Sequence, residues 1–514
     1  MRPCVGAGFS ETSVLKSVHL QERGIVIWLR GMFPVRLKLC PESFCLMFRV
    51  IVLPLLVAVC VVSALSSSVR GDERPNFVIF VADDMAWDDC GAYGNPAIRT
   101  PNMDRLAAEG MRFDRAYLTC SSCSPSRCSM LTGRYPHATG AGELHLPLPK
   151  QQTMFTKPLM DAGYWTAAVG KWHLGQAVAD QVEYRKGSNP AAMGNAWVKA
   201  LKERPAGQPF FLWAAHSDPH RGYKPGAVNP PHDPATVIVP PFFPDASRVR
   251  EDLALYYDEV SRFDEHIGMV LQELKQQGLE KNTFVLVISD NGRPFPHCKT
   301  RVHVPGVRTP FIVRWPQRVQ AGQVAKNVVS TVDIAPTILE LAGLTPLASF
   351  QGESFVRMLA DPNVQTRKYA FAEHNWHDYR AYERAVHSRD FCYVRNWLPG
   401  IAGTPPADAV NSPTYKVMLE MHAAGTLTPS QQGCVETPRA EEFLFDVTKD
   451  PNCLVNLAML PKFSDQMQLM RAQLKQWQNK TDDQFPGEDG LTPDGFDRNN
   501  GKRLIKASHP SFLK

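Results

Sequence analysis

Along most of the chain, short unbroken apolar runs alternate with stretches whose apolar positions recur at helical spacing. The run "NFVIFVADD" at 76–84 is apolar from Phe77 to Ala82 and then ends in two acids, the pattern of a strand buried on both faces. "NMDRLAAEGMRF" at 102–113 predicts a helix capped by Gly110, and "MFTKPLMDAGYWTAAVGKWH" at 154–173 predicts helix, turn and strand. "QPFFLWAAHSDPH" at 208–220 is another buried strand that runs out into polar residues. "REDLALYYDEVSRFDEHIGMVLQELKQQG" at 250–278 predicts one long amphipathic helix closed by Gly278, with the strand "TFVLVISDNG" after it. A strand "TPFIVRWP" and a helix "DIAPTILELAG" follow. Apolar strands alternating with helices predict an α/β fold, a mostly parallel sheet sandwiched by helices.

The character changes after about Thr366. Shorter strands, "KYAFAEHN", "DFCYVRNW" and "EEFLFDVTKDP", precede the helix "SDQMQLMRAQLKQWQ". The expected organisation is a catalytic domain over 75–365, a smaller C-terminal α+β domain over 366–480, and a polar, loosely held tail over 481–514. The Pro-rich stretch 224–245 is a long surface connection, of the kind that lines sites in such folds.

Residues 50–65, "VIVLPLLVAVCVVSAL", are short for a spanning helix and contain one Pro, and a signal-peptide core fits them, with an uncleaved anchor as the rival reading. Arg49 flanks them and Val62-Ser63-Ala64 offers a cleavage triplet, so 47–64 reads as a signal peptide and 1–46 as an upstream extension. The choice between Met1 and Met47 as start stays open. Export to a periplasmic, extracellular or lysosome-like compartment is the expectation, without stable membrane insertion after cleavage.

Composition is that of a globular chain, 44% hydrophobic and 21% charged. The net charge of +5 owes most to residues 1–64, which hold seven basic and three acidic residues. The remainder is near neutral, so nothing argues for nucleic-acid binding. Eight cysteines follow the expected cleavage point, scattered in a way that matches no small disulfide scaffold.

Ligands in open α/β sheets collect outside the carboxyl ends of strands. Two strands here end in hard oxygen ligands, Asp83-Asp84 and Asp290-Asn291, a set suited to calcium, or to magnesium with more water. Taken singly, each pair is also what a turn or a helix cap requires. Lys171 and His173 are two residues apart and would share a face on extended backbone. His220 ends another strand and Lys299 lies beyond Asp290-Asn291. Together these four would form a cationic wall suited to a tetrahedral anion, phosphoryl or sulfuryl.

The segment "CSPSRCSMLTGR" from Cys123 to Arg134 has the small hydroxyl residues and early Pro125 of a helix start. A thiol there would be favoured as thiolate, which is a conventional nucleophile reading. Cys120-x-x-Cys123 has redox or zinc spacing, but no second pair completes a zinc site.

Cys123-Ser124-Pro125-Ser126-Arg127 with Leu131-Thr132-Gly133-Arg134 resembles the C-x-P-S-R…L-T-G-R signature of the type I sulfatases. The likeness runs from Asn76 to about Ala458 and includes "ADDMAWDDCGAYGN", "TPNMDRLAAEG", "GKWHLG", "SDNG" and "LFDVTKDPNCLVNLA". Family proteins often carry Glu at the position of Cys453. The stretch from "VPPFFPDASRVRED" through "SDNGRPFP" looks most like the heparan N-sulfatase branch. Lys299, where that branch often has Arg, is the commoner residue across sulfatases and pulls the other way.

The resemblance implies an alkaline-phosphatase-like fold and a changed residue at Cys123. A maturation enzyme would oxidise it to Cα-formylglycine, whose hydrated diol attacks sulfur and forms a covalent sulfate. It implies one calcium ion held by Asp83, Asp84, Asp290, Asn291 and the modified Cys123, with Arg127 steadying the diol. Lys171 and Lys299 would hold sulfate oxygens, His173 would be the base and His220 the acid toward the leaving group. His145, His377 and Asp378 are candidates to face a sugar. The expected substrates are sulfated sugars or glycosaminoglycan-type glycans, cleaved at an ester or a sulfamate. A phosphonate or phosphodiester hydrolase of the same superfamily and a catalytically silent glycan-binding protein are the alternatives. Oligomeric state stays open, a homodimer included.

Overall fold

The computed structural model describes residues 74–504, and the expected leader and upstream extension lie outside them. Among the described residues, no helix is long and apolar enough to cross a membrane. Eight strands form one sheet: β1 (Asn76–Ala82), β2 (Met111–Tyr117), β3 (Trp165–Gly170), β4 (Tyr184–Lys186), β5 (Phe210–Ala215), β6 (Thr283–Ser289), β7 (Ile312–Arg314) and β8 (Gln323–Ser330). Their order is β4-β3-β5-β1-β6-β7-β2-β8. Only β7 runs against its neighbours; the other pairs are parallel.

The central strand β1 is buried along its whole length, and its residues alternate between two cores. Phe77, Ile79 and Val81 join one apolar cluster, while Val78, Phe80 and Ala82 join the other. A period of two places them on opposite faces, and helices cover both. The 30-residue helix Ser247–Gln276 is the largest cover, packed with Met193–Glu203 over the Phe80 face. Trp197 meets the Phe80 ring at 5.5 Å.

A second, smaller sheet is antiparallel: β9 (Ala370–His374), β10 (Glu383–His387), β11 (Phe391–Asn396) and β12 (Glu442–Asp446), in the order β12-β11-β10-β9. The helix Ser464–Thr481 covers it through Met467, Met470, Leu474 and Trp477. Between β11 and β12 the chain leaves this sheet, and the helix Pro413–Ala423 packs on Ser247–Gln276.

The helix expected to be capped by Gly110 ends at Ala108, and β2 begins at Met111. Gly110 makes that switch possible, since a Cβ there would lie 2.2 Å from the Val313 carbonyl oxygen. The strands β8 and β10 escape the apolar-run pattern because both mix charged and apolar residues. The tail is not loose through residue 504. Asp483 is buried and bonded to Arg384, and Gly495 and Trp376 tie residues 493–495 to the loop after β9.

The four strands that matter for chemistry end level with one another. Gly170 pairs with Ala215, Val81 with Ala215 and Ala82 with Ser289. The residues that follow, Lys171, Asp83 and Asp290, therefore emerge side by side at the carboxyl edge.

Candidate active site

Backbone hydrogen bonds extend the sheet past its strands: Asp83 N–H donates to Asp218 O at 2.9 Å and Asp290 N–H to Ala82 O at 3.1 Å. Asp84 turns sharply with φ 79°. A non-glycine residue in that region persists only where its surroundings hold it, a pattern concentrated at functional sites.

The helix Cys123–Thr132 approaches this edge and is buried throughout. One ligand atom each from Asp83, Asp84, Asp290 and Cys123 lie within 4.8 Å of one another. Arg127 anchors the group from behind, with no exposed surface. Its Nε donates to Asp290 Oδ2 at 2.7 Å and its terminal nitrogens reach the Lys171 carbonyl at 2.9 Å and Asp83 at 3.8 Å.

The three buried carboxylates are matched by three cationic side chains, Arg127, Lys171 and Lys299. Lys171 Nζ donates to Asp83, and Lys299 Nζ to Asp84 at 2.7 Å. Burial alone would raise the Asp83 carboxyl, but Lys171, His220, Arg127 and Lys299 outweigh it and hold the group below the usual carboxylate range. Asp290 goes the other way, pushed up to about 6 by burial despite Arg127. The two lysines thus interleave with the acids rather than forming a separate wall opposite them.

The cluster fits a divalent cation on its own atoms. Asp83 Oδ1 and Asn291 Oδ1 are buried without a hydrogen-bond partner, two oxygens left with unused lone pairs. Three carboxylates and an amide oxygen form a hard-donor set.

The Cys123 thiol is not the activated thiolate its helix-start position suggested. Burial pushes it well above the ordinary thiol range, Lys171 and Lys299 oppose this, and Asp83 and Asp290 add to it. Cys120 and Cys128 are buried, unpaired and likewise pushed up by burial. That environment disfavours a conventional cysteine nucleophile.

β3 stops at Gly170, and His173 has φ 62°, so Lys171 and His173 do not share a strand face. Lys171 turns to Asp83, whereas His173 Nε2 meets His145 Nδ1 at 2.6 Å. Burial, together with Lys171, His145 and Arg127, holds His173 well below the ordinary histidine range, which keeps it neutral. The backbone of His145 is fixed by its N–H donating to Ser124 Oγ at 2.7 Å, next to Cys123 in the chain.

On the other side, His377 Nδ1 lies 2.7 Å from Ser122 Oγ, at the cap of the Cys123 helix. Asp378, with φ 64°, accepts the Ala407 N–H at 2.9 Å. One participant escaped sequence reasoning altogether. Asp408 Oδ2 stands 3.0 Å from Lys299 Nζ and 3.4 Å from His220 Nε2, joining the two side chains. It comes from "PPADAV", in the excursion between β11 and β12, where no motif or periodicity marks it.

Comparison with known proteins agrees with this geometry. A family model described as Sulfatase matches residues 75–344, and one described as N-sulphoglucosamine sulphohydrolase, C-terminal, matches 297–396. Human N-sulphoglucosamine sulphohydrolase is 31% identical over 472 residues, 82% of this chain and 93% of that protein. An ulvan-active sulfatase of Formosa agariphila is 28% identical over 79% of this chain and 75% of that one. A solved structure of a protein in complex with its substrate D-glucosamine-2-N,6-O-disulfate superposes with a TM-score of 0.63 at 19% identity, over 81% of this chain and 100% of that one.

Proposed function

Because the chain belongs to the sulfatase family, we propose that it hydrolyses the sulfamate of N-sulfated glucosamine in sulfated sugars or glycosaminoglycan-type glycans. Hydrolysis of a sulfate ester or sulfamate is the family reaction; the N-sulfate is the finer reading, supported by the human relative and by the match over 297–396. The observation that carries it is the convergence of Cys123 with Asp83, Asp84 and Asp290 inside a ring of Lys171, Lys299 and His220.

Cα-formylglycine at position 123, made by a formylglycine-generating enzyme, would supply a diol nucleophile in place of the inert thiol. A calcium ion held by Asp83, Asp84, Asp290 and Asn291 would supply Lewis acidity toward a sulfate oxygen. Calcium is preferred because a tight all-protein oxygen set suits its flexible coordination better than that of magnesium.

The chain's own residues do the rest. Lys171 and Lys299 place positive charge where sulfate oxygens gain negative charge in the transition state. His173, neutral and linked to His145, takes the proton from the nucleophile. His220 Nε2, aligned by Asp408, delivers a proton to the leaving nitrogen or oxygen, which is a poor leaving group without one. Arg127 keeps Asp290 and the Lys171 backbone in register with the helix that carries position 123. The apolar run 50–65 supports export, where such glycans are met.

Mass spectrometry of the tryptic peptide Ala116–Arg127, from protein made with its maturation enzyme, tests the nucleophile. Sulfate release is expected from N-sulfated glucosamine, and only when position 123 carries the aldehyde. A panel of O-sulfated sugars and an aryl phosphonate locates the preference. Full activity with an unmodified thiol overturns the mechanism, and faster cleavage of the phosphonate overturns the substrate class.

A further inference from the structure

The chain beyond the helix Ser464–Thr481 returns to the active-site side of the molecule. It is first pinned at Asp483, which accepts from Arg384 Nε at 2.8 Å and from Tyr382 OH at 3.1 Å. Further on, residues 492–498 run along the loop 375–380 between β9 and β10. Trp376 Nε1 donates to Pro493 O at 2.7 Å, Arg380 N–H to Asp494 Oδ1 at 2.7 Å, and Gly495 N–H to Asp378 O at 2.8 Å. Arg498 pairs with Asp494 at 2.6 Å, donates to Arg380 O at 3.0 Å and stacks over the Tyr379 ring.

The loop held in this way is the one that faces the nucleophile. Trp376 packs with Leu144 against Cys123, and His377 bonds Ser122 at the start of the nucleophile helix. Asp378 keeps its left-handed backbone while accepting the Ala407 N–H, and Ala407 precedes Asp408. Hydrogen bonds therefore run from residues 493–495 through Asp378 to the Ala407 N–H, and the backbone carries the link one residue further to the carboxylate between Lys299 and His220.

We propose that residues 492–498 are a positioning strap for the leaving-group side of the site, with Asp494 as its key residue. The strap holds Trp376, His377 and Asp378 beside position 123 and, through Ala407, sets the placement of Asp408. Asp494 touches no reacting atom; it acts through the loop. The consequence for turnover rests on the sulfatase reading, whereas the mechanical link does not.

The test compares full-length Asp494→Ala, Asp494→Asn and, as a control, Asp489→Ala, which changes an exposed residue outside these contacts. All are checked for equal formylglycine and metal content. Each is assayed on an N-sulfated sugar, which needs a proton on its leaving group, and on an aryl sulfate, whose phenolate leaves unaided. For Asp494→Ala, kcat on the sugar is expected to fall about tenfold or more while the aryl sulfate loses less than about threefold. Asp494→Asn keeps an oxygen for the Arg380 N–H and should recover much of the loss, and Asp489→Ala should match wild type. Amide hydrogen exchange over 375–381 should quicken in Asp494→Ala alone. Equal losses on both substrates, or wild-type turnover in Asp494→Ala, overturn the proposal. Should the wild-type enzyme release no sulfate from any substrate, the functional reading fails and the strap is judged by exchange alone: unchanged protection overturns it and faster exchange supports it.

Discussion

His220 Nε2 lies 3.4 Å from Asp408 Oδ2, a pairing between the end of a central strand of the large sheet and an excursion out of the small one. The same carboxylate reaches Lys299 Nζ, and Lys299 and His220 between them hold it below the usual carboxylate range against the effect of burial. Asp408 therefore joins Lys299 to His220, the residue proposed as the leaving-group acid.

Asp408→Asn removes that charge without changing shape. Turnover of sugar sulfates should fall about 10–100-fold, with a smaller loss on aryl sulfates. Steady-state kinetics on both substrate types checks this; equal losses on the two would contradict it.

Removing the divalent cation should abolish activity and lower the melting temperature, because Asp83, Asp84 and Asp290 then repel one another inside the fold. Elemental analysis of the native protein should find about one metal per chain. Calcium should restore activity to chelated enzyme better than magnesium, and Asp290→Asn should bind neither tightly.

Gly170 carries the end of β3 into Lys171 at φ 107°, and a Cβ there would lie 1.7 Å from the Ala215 carbonyl oxygen. Gly170→Ala must push β3 away from β5 just where Lys171 is aimed at Asp83. The expected outcome is poor soluble yield, or a folded protein with a melting temperature many degrees lower and little turnover. Gly207→Ala, also at positive φ but with open space around it, should be far milder.

His297 is neutral in the fold, its pKa held down to about 4 by burial despite the Asn452 carbonyl, which accepts from it at 2.9 Å. The unfolded chain binds this proton near the ordinary histidine value of 6.5. Its contribution to stability is thus present above about 6.5 and is lost as pH falls through about 4. His374, held down to about 3 by burial, adds to the same acid-side loss. His297→Gln should flatten the dependence between these limits by up to about 1.4 kcal/mol per pH unit. Urea unfolding at several pH values measures the slope, and an unaltered slope would count against this assignment.

What the sequence determined by itself is local and periodic. Unbroken apolar runs mark β1, β3, β5 and β6, because strands covered on both faces have no polar side to show. The acids at 83–84 and 290–291 could be read as one site, because parallel strands in register deliver their next residues to one edge. The spacing from Cys123 to Arg127 is also local, since one turn of helix sends Cys123 to the acids and Arg127 behind them. Only the tertiary structure decided what crosses between segments without a repeating pattern. It turned His173 toward His145, brought Asp408 to His220, and laid residues 492–498 along the loop that carries His377. These contacts depend on the paths of connections whose backbone groups are paired one by one. A side chain such as Asp408 acquires its partner from that path, and no period in the sequence records it.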